Sequence, residues 1–321
     1  MKTKTLFISV VSGVVVICLI VALVLVFNVR QPYVPSESTI EIVDTTEWGN
    51  LEANVTTSGG TVQQSDVETA EGKYYRTLTA VPSEGYTFAY WKNSSIKLSG
   101  DLQLTLGASS LTALNTVVSA CTPVFVEDAN VFEITDISTF QSILINDISQ
   151  DSTSGKIYKL TTDLFGVSDK TSGISESLGV FRGVLDGNNH SLSGIDINGV
   201  GLFTSLDDAV IKDLVLSNGN INGDGSEYIG SFCGSINNSL ISRCLSYLNI
   251  TNSNDNGFAG GIVGVCSSTT QKSLLFSCGF YGVVRATNPQ QMIAFNTKLA
   301  SLGTDSCSVF RPKNNGAINT L

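Results

Sequence analysis

One pattern is written three times in this chain, as Gly201-Leu202-Phe203-Thr204-Ser205, Gly230-Ser231-Phe232-Cys233-Gly234 and Gly260-Gly261-Ile262-Val263-Gly264. The glycines that open the copies are 29 and then 30 residues apart. A fixed period of about 30 residues, with short apolar runs and turn-rich spacers, is typical of a stack in which each repeat is one coil. The stretch 179–284 therefore predicts a parallel β-solenoid.

A second apolar run follows each copy, beginning at Ile211, Ile241 and Leu275. The last interval is longer, because extra residues stand between Gly264 and Leu275. We expect these residues to form a protruding loop around 267–270.

The composition favours many short strands joined by tight turns. The 321 residues include 30 glycines, and only 14% of them are charged. Glycine and asparagine accept a positive φ at little cost, which suits such turns. The formal net charge of −10 would repel phosphate backbones and anionic lipid surfaces, so nucleic acid is excluded as a partner.

The first 30 residues predict a membrane anchor. Residues 6–27 form a stretch of 22 residues without a charge, about 33 Å long as a helix at ~1.5 Å per residue, which matches a hydrocarbon core of about 30 Å. A cleaved signal peptide is the alternative, but its apolar region is normally about 7–15 residues and ends at a small-x-small site. A lipoprotein signal at Cys18 is disfavoured by the bulky Ile17 before it.

The charges beside this span predict its orientation. Lys2 and Lys4 precede it, and only Arg30 follows closely, so the N-terminus is expected in the cytoplasm of a single-pass cell-membrane protein and the remaining domains outside. Residues 31–47 contain Pro32 and Pro35, which are typical of a short extended stalk.

Residues 48–128 predict a small β domain with strand-like alternation. Gly59-Gly60-Thr61-Val62, the run Leu78–Pro82 and the run Gly85–Trp91 resemble the B-repeat module of bacterial surface proteins related to internalin. The resemblance implies a small β module that serves as a spacer or as a contact surface. A closing strand is expected between 102 and 125. Trp91 and Tyr86 are expected to fill the one small core of this module.

Residues 129–321 carry a second resemblance. Four segments are similar to the GLUG-motif β-helix proteins of bacterial surfaces, namely Ile157–Leu164, Val180–Gly194, Gly201–Phe203 and Ile211–Leu214. The resemblance implies a β-helix over this region. Strands are also expected at Val131–Ile134, Met292–Phe295 and Cys307–Phe310.

The one convincing helix outside the anchor is predicted over Asp136–Ile148, where apolar residues recur at helical spacing. Asp136 or Ser138 can cap it. A helix there would cover the first open edge of the solenoid, since an uncovered edge invites pairing with another chain.

His190 is the sole histidine, so a catalytic triad or a multi-histidine metal site would have to be built around it. It follows Asp186-Gly187-Asn188-Asn189, which is typical of a turn. We therefore interpret His190 as a structural residue at a turn.

Carboxylates are the remaining route to hydrolytic chemistry. The candidates are Asp163, Asp186, Asp196, Asp207, Asp208 and Asp213. They do not recur at the 30-residue period, and most lie beside turn glycines, so we interpret them as turn residues.

Two loops have a calcium-like spacing: Asn220-x-Asn222-x-Asp224-Gly225 and Asn252-x-Asn254-x-Asn256-Gly257. A bidentate Glu is needed six positions after the glycine, and Ser231 and Val263 stand there. Stacked Asn-rich turns are the favoured interpretation. No metal, cofactor or catalytic residue is predicted.

Seven cysteines are present. Cys244 and Cys278 align with Leu214, and Cys233 aligns with Val263, so these three are interpreted as small core residues kept as thiols. Stacked strands lie about 4.7–4.9 Å apart, whereas disulfide β-carbons are about 3.5–4.5 Å apart. Cys121, Cys266 and Cys307 receive no partner.

The sequence thus predicts a membrane-anchored, extracellular bacterial adhesion or recognition protein. A solenoid offers a long contact surface, and Asn-, Ser- and Thr-rich turns suit a carbohydrate or another surface protein as ligand. One alternative is a structural envelope component that self-associates. A polysaccharide lyase or hydrolase is the third hypothesis.

Overall fold

The computed structural model describes residues 39–41, 57–94, 96–166, 175–223, 225–267, 272–290, 293–296, 307–310, 313–314 and 317–320. Within these ranges the chain is mainly β, and much of it forms a curled parallel sheet. The predicted anchor and most of the predicted stalk lie outside the described residues.

The first part of the chain is a β module. Its elements are β1 (Thr39–Glu41), β2 (Gly60–Gln64), β3 (Glu68–Ala70), β4 (Lys73–Pro82), β5 (Tyr86–Asn93), β6 (Ile96–Ser99), β7 (Gln103–Ala108), α1 (Leu111–Ala120) and β8 (Cys121–Glu127). Strand β4 pairs antiparallel with β2, β3 and β7, and β5 pairs antiparallel with β6 and β8. Trp91 is fully buried in the module core, as predicted, whereas Tyr86 is only partly buried.

Helix α1 corrects two predictions. The region 102–125 contains a helix between β7 and β8, rather than strands alone, and Asp136–Ile148 is not the one helix of these domains. The Ser110 hydroxyl accepts a hydrogen bond from the backbone N–H of Ala113 at 3.2 Å and so caps α1. Leu114, Val117 and Val118 turn one helix face into the module core. The β-branched residues of α1 concealed this spacing, because they favour strands.

A 3₁₀ turn, Asp128–Asn130, leads into the second part of the chain. Its strands are β9 (Val131–Ile134), β10 (Ile157–Leu160), β11 (Glu176–Phe181), β12 (Val184–Asp186), β13 (Ser191–Asp207), β14 (Val210–Lys212), β15 (Val215–Gly223), β16 (Tyr228–Ile229), β17 (Cys233–Asn237), β18 (Leu240–Ser242), β19 (Leu245–Ser246), β20 (Asn249–Asn252), β21 (Phe258–Gly260), β22 (Val263–Cys266), β23 (Ser273–Phe276), β24 (Gly279–Phe280), β25 (Val283–Ala286), β26 (Asn288–Gln290), β27 (Ile293–Asn296), β28 (Cys307–Phe310), β29 (Lys313–Asn314) and β30 (Ala317–Thr320).

Parallel pairing joins each strand of this part to an equivalent strand further along the chain. Phe203 lies opposite Cys233, and Cys233 lies opposite Val263, which is the predicted 30-residue register. We call one such repeat of the chain a rung. The predicted longer interval is also present, because Leu240 pairs with Leu274, 34 residues later; residues 268–271, in the expected loop, lie outside the described residues.

The repeated glycines occupy places where the backbone of the next rung passes closely. A β-carbon on Gly201 would lie 2.4 Å from the carbonyl oxygen of Gly230, and one on Gly230 would lie 2.6 Å from that of Ile262. No side chain fits at such a separation. The spacing of these glycines therefore follows from the stacking of the rungs.

Helix α2 lies at the N-terminal end of the curled sheet. It consists of Ile137–Thr139, a π-helical middle, Phe140–Ile145, and Asn146–Ser149. The predicted cap is confirmed, since the Asp136 carboxylate accepts the backbone N–H of Thr139 at 2.7 Å. Its buried side chains, Phe140, Leu144 and Ile148, join the core of the curled sheet.

The Asp147 carboxylate ties α2 to the first rung. It accepts hydrogen bonds from the Tyr158 hydroxyl at 2.6 Å, from Lys156 Nζ at 2.8 Å and from the Ser152 hydroxyl at 3.2 Å. Burial alone would raise the pKa of Asp147, but the hydrogen bonds from Lys156 and Tyr158 outweigh it, and the pKa is lowered. The carboxylate thus stabilises the fold in its charged form.

Asp147→Asn is expected to lower the free energy of unfolding at pH 7 by about 1.5–3 kcal/mol, the value of hydrogen bonds to a charged group. A lowered pKa stabilises the fold above the unfolded pKa, and this contribution is lost as the pH falls through the folded pKa. Urea titrations at pH 7 and pH 3 should therefore show a large difference between the two proteins at pH 7 and a small one at pH 3. Equal midpoints at pH 7 would contradict the tether.

Candidate functional site

One outer face of the curled sheet is covered by the β module. Strands β12, β14, β18 and β23 turn one set of residues toward the sheet core and the alternate set outward. The outward set is apolar and packs in the module core, and consists of Val184, Val210, Leu240, Leu274 and Phe276. This covered face is therefore buried on both sides and is not open to a ligand. The division of the chain at residue 128 stays a prediction.

Charged residues surround this contact. Lys97 of the module forms an ion pair with Asp208 and donates a hydrogen bond to the carbonyl oxygen of Asn238 at 3.0 Å. Arg243 forms an ion pair with Asp101, and Lys212 Nζ donates to the carbonyl oxygen of Gly100 at 3.0 Å. These interactions fix the module against the covered face.

Burial sets the ionisation of these groups. It lowers the pKa of Lys97, although the Asp208 carboxylate acts in the opposite direction. Burial also raises the pKa of Asp101, and the Arg243 guanidinium acts against that rise. Both groups therefore depend on their partners to remain charged.

A second outer face is exposed and polar. We call it the ladder face, and it consists of Asp196, Asn198, Asn220, Asn222, Asn249, Thr251 and Arg285, which lie on β13, β15, β20 and β25. Asn220 Nδ2 donates to Asp196 Oδ1 at 2.7 Å, and Asn249 Nδ2 reaches Asn220 Oδ1 at 3.4 Å. Ile197, Ile221 and Ile250, which alternate with these residues, are fully buried. The ladder face is thus a row of amides and hydroxyls held on a rigid sheet.

Two tyrosines lie at one end of the ladder face. The rings of Tyr247 and Tyr281 are stacked, with centroids 5.1 Å apart and an interplanar angle of 17°. Tyr247 remains 46% exposed. An exposed aromatic ring beside amides offers both an apolar contact and hydrogen bonds.

The sequence analysis missed this tyrosine pair. The two residues are 34 positions apart, so a search at a strict 30-residue period places Ser277 opposite Tyr247. The longer last interval, which the sequence did show, was the signal that could have aligned them.

The calcium-like loops are stacked asparagine turns, as favoured from the sequence. Asn252 Oδ1 accepts the backbone N–H of Asn254 at 3.1 Å, and Asn254 Oδ1 accepts that of Asn256 at 2.9 Å. Asn254 Nδ2 donates to the carbonyl oxygens of Gly225 and Ser226, both at 3.2 Å. Asp224 lies outside the described residues. In the part of the chain that the structure describes, no group of three His, Cys, Asp or Glu residues could hold a metal ion.

His190 lies at a turn, as predicted. Asn188 and Asn189 have φ values of 48° and 65°, and the backbone N–H of His190 donates to the carbonyl oxygen of Gly187 at 2.7 Å. His190 Nδ1 is 3.6 Å from Asp163 Oδ1, which also accepts the Ser191 hydroxyl at 3.1 Å. The serine thus donates to the carboxylate and not to the imidazole, which is not the arrangement of a Ser-His-Asp triad.

Each of the six candidate carboxylates has a partner. Asp163 binds Ser191, Asp186 binds Lys212, Asp196 binds Asn220, Asp207 binds Arg182 and Asn237, Asp208 binds Lys97 and Asn238, and Asp213 binds Arg243. The structure does not bring any two of these six side chains together as a hydrogen-bonded pair within the described residues. Their partners come from neighbouring rungs or from the module, so they act in holding the fold.

The cysteines of the curled sheet are core residues. Leu214, Cys244 and Cys278 are fully buried, and Cys233 pairs with Val263, as predicted. The described cysteines are free thiols, namely Cys121, Cys233, Cys244, Cys266 and Cys278. Burial raises the pKa of Cys121 and of Cys278 to about 12, and it raises those of Cys233 and Cys244 as well. All four thiols are therefore protonated at neutral pH.

Within the described ranges, no helix is long and apolar enough to cross a bilayer. The predicted span, residues 6–27, lies outside those ranges.

The comparisons with known proteins concern the β module and the whole fold. Residues 51–120 match the family model of the divergent InlB B-repeat domain. The first part of the chain is therefore similar to a bacterial repeat module. A search of curated proteins gave no match.

A solved structure described as an IgA1 protease is similar to 80% of this chain, with 13% identity and a TM-score of 0.29. This chain spans 26% of the length of that one.

Proposed function

We propose that this chain is a membrane-anchored bacterial surface protein that recognises carbohydrate or another surface protein. In this proposal its second part is a β-solenoid of the GLUG-motif kind, its N-terminal segment spans the cell membrane, and both domains are extracellular. The B-repeat similarity supports the bacterial surface setting, since the module resembles those of internalin-related proteins.

The observation that carries this proposal is the ladder face. The β module covers one face of the curled sheet, while the ladder face keeps its amides and hydroxyls exposed. Amides and hydroxyls both donate and accept hydrogen bonds, so a row of them can match a ligand with many polar groups. Their rigid spacing limits the ordering cost of binding.

The test is a retention assay with the full chain, purified in a detergent without a sugar headgroup. The immobilised chain is incubated with cellulose, chitin, starch, mannan, isolated cell envelopes and extracellular-matrix proteins, and soluble sugar is assayed in the same tubes. We expect retention of at least one of these materials without release of sugar. Released sugar would instead indicate a polysaccharide-cleaving enzyme, and sedimentation of the chain alone as large assemblies would indicate a structural component.

A charge placed on the ladder face should abolish this retention. Asn222→Glu is expected to weaken binding at least about tenfold, because an unpaired carboxylate buried under a ligand costs more than the ~1.4 kcal/mol that a tenfold loss requires. Asn115→Glu is the matched control, since Asn115 is an exposed asparagine on α1 of the module. If both variants bind as the wild type does, the ladder face is not the contact surface.

A further inference from the structure

The exposed ring of Tyr247 has one covered face and one open face. Tyr281, in the next rung, stacks on one side of it. On the other side the register continues from the pairs Val215–Leu245 and Leu216–Ser246, so the neighbour of Tyr247 is Ser217. A serine side chain is too short to cover a phenol ring, and Tyr247 accordingly stays 46% exposed.

The position before Ser217 is also a serine. Ser193 pairs with Ser217 in the preceding rung. The ring of Tyr247 therefore stands at the end of two consecutive small residues, and it forms a step about one to two strand spacings high, ~5–10 Å.

Asn218 forms the side of this step. It has a φ of 54°, and its Nδ2 donates to the Ser193 hydroxyl at 3.1 Å. The later rungs have no equivalent extra residue, because Leu216 pairs with Ser246 but Asn220 pairs with Asn249, one residue earlier in the repeat. We call the space bounded by Tyr247, Ser217, Ser193 and Asn218 the tyrosine notch.

The tyrosine notch combines a flat apolar wall with polar groups. Its other members carry hydroxyls and an amide, which donate and accept hydrogen bonds and carry no charge. Burial raises the pKa of Tyr247, and the neighbouring Tyr281 acts in the same direction, so the Tyr247 hydroxyl remains neutral. A ligand for this space needs an apolar ring face and several hydroxyls along its edge.

We propose that the tyrosine notch binds one sugar ring of a neutral polysaccharide. The apolar C–H face of the sugar stacks on the open face of Tyr247, and its hydroxyls meet Ser217 and Asn218. Asn249 lies two residues beyond Tyr247 on the same strand path, so the polysaccharide continues from the notch onto the ladder face. The net charge of −10 disfavours acidic sugars. This inference rests on the proposed function and names its ligand class.

The test measures binding of the full chain to cellulose, chitin, starch and mannan, with the acidic polysaccharide pectate for comparison. Tyr247→Ala is expected to bind a retained neutral polysaccharide about tenfold more weakly, because it removes the stacking surface. Tyr247→Phe keeps the ring and is expected to bind within about twofold of the wild type. Tyr228→Ala is the matched control, since Tyr228 stacks on Phe258 on a different sheet. Thermal unfolding of each variant shows whether it is folded.

The outcomes separate the notch from the proposed function. Retention of a neutral polysaccharide by Tyr247→Ala equal to that of the wild type would overturn the notch and leave the proposed function standing. Retention only of envelopes or matrix proteins, or a preference for pectate, would likewise overturn the notch alone. Failure to retain any of these materials would overturn both proposals.

Discussion

Arg243→Met is expected to lower the free energy of unfolding by about 3–5 kcal/mol, which is the usual cost of removing one partner of a buried ion pair. Arg243 is 4% exposed. Its Nε and Nη2 donate to the two carboxylate oxygens of Asp213, each at 2.6 Å, and Nη1 pairs with Asp101 of the β module. The variant leaves both carboxylates without this partner. Urea unfolding at pH 7 measures the loss.

The deficit should shrink in acid. Burial already raises the pKa of Asp101, and Arg243 opposes that rise, so Arg243→Met raises this pKa further. A group with a raised folded pKa favours the folded state below its unfolded pKa, near 4, and this stabilisation is lost as the pH rises through the folded pKa. The difference between variant and wild type should therefore be smaller at pH 4 than at pH 7.

Arg285→Met is the matched control for this prediction. Arg285 is exposed on β25, and its replacement is expected to change the free energy of unfolding by less than about 0.5 kcal/mol. Equal effects of the two variants would show that Arg243 does not hold the module to the covered face.

Phe181→Ala is expected to cost about 3–5 kcal/mol, the usual loss for a buried phenylalanine. Phe181 is fully buried in a column of rings that begins with Phe132 and Tyr158 and ends with Phe203. Its ring centroid is 6.0 Å from that of Tyr158 and 5.0 Å from that of Phe203. The truncation therefore removes contacts with the rungs on both sides.

Thermal and urea unfolding of Phe181→Ala would measure this loss. Phe165→Ala provides the control, because Phe165 is 61% exposed and its replacement is expected to change stability by less than about 0.5 kcal/mol. A similar, small effect of both substitutions would mean that the ring column does not carry the stacking of the first rungs.

The stacking of the curled sheet could be predicted from the sequence, because it depends on a local rule that repeats. Gly201 and Gly230 mark places where adjacent backbones pass within reach of a β-carbon, and the alignment of Cys233 with Val263 follows from the same period. Asp136 was readable for the same reason, since a helix cap is set by its neighbours in sequence.

The covered face could not be predicted in the same way, because it depends on contacts between distant parts of the chain. Lys97 and Asp208 are 111 residues apart, and nothing local pairs them. Strand composition did hold a signal: Val210 and Ile211 are consecutive apolar residues whose side chains point to opposite faces of one strand, and both are fully buried. Strands that are apolar on both faces are typical of sheets covered on both sides.

The tyrosine notch was hidden by uneven repeat lengths. Ser193, Ser217, Tyr247 and Tyr281 occupy equivalent places, but the intervals between them are 24, 30 and 34 residues. A site formed by stacked rungs is therefore readable only after the register of each rung is known. The chemistry of the individual residues, by contrast, was visible from the start in the abundance of asparagine and serine.

The covered face also determines how this protein can be shortened in the laboratory. A truncated protein that starts at residue 129 would expose Val184, Val210, Leu240 and Leu274, which now lie in the module core. These four residues belong to adjacent strands, so together they would form a continuous apolar strip in contact with water, and such strips promote aggregation. An expression fragment intended for crystals or binding studies should therefore retain the B-repeat-like module together with the rungs that it covers.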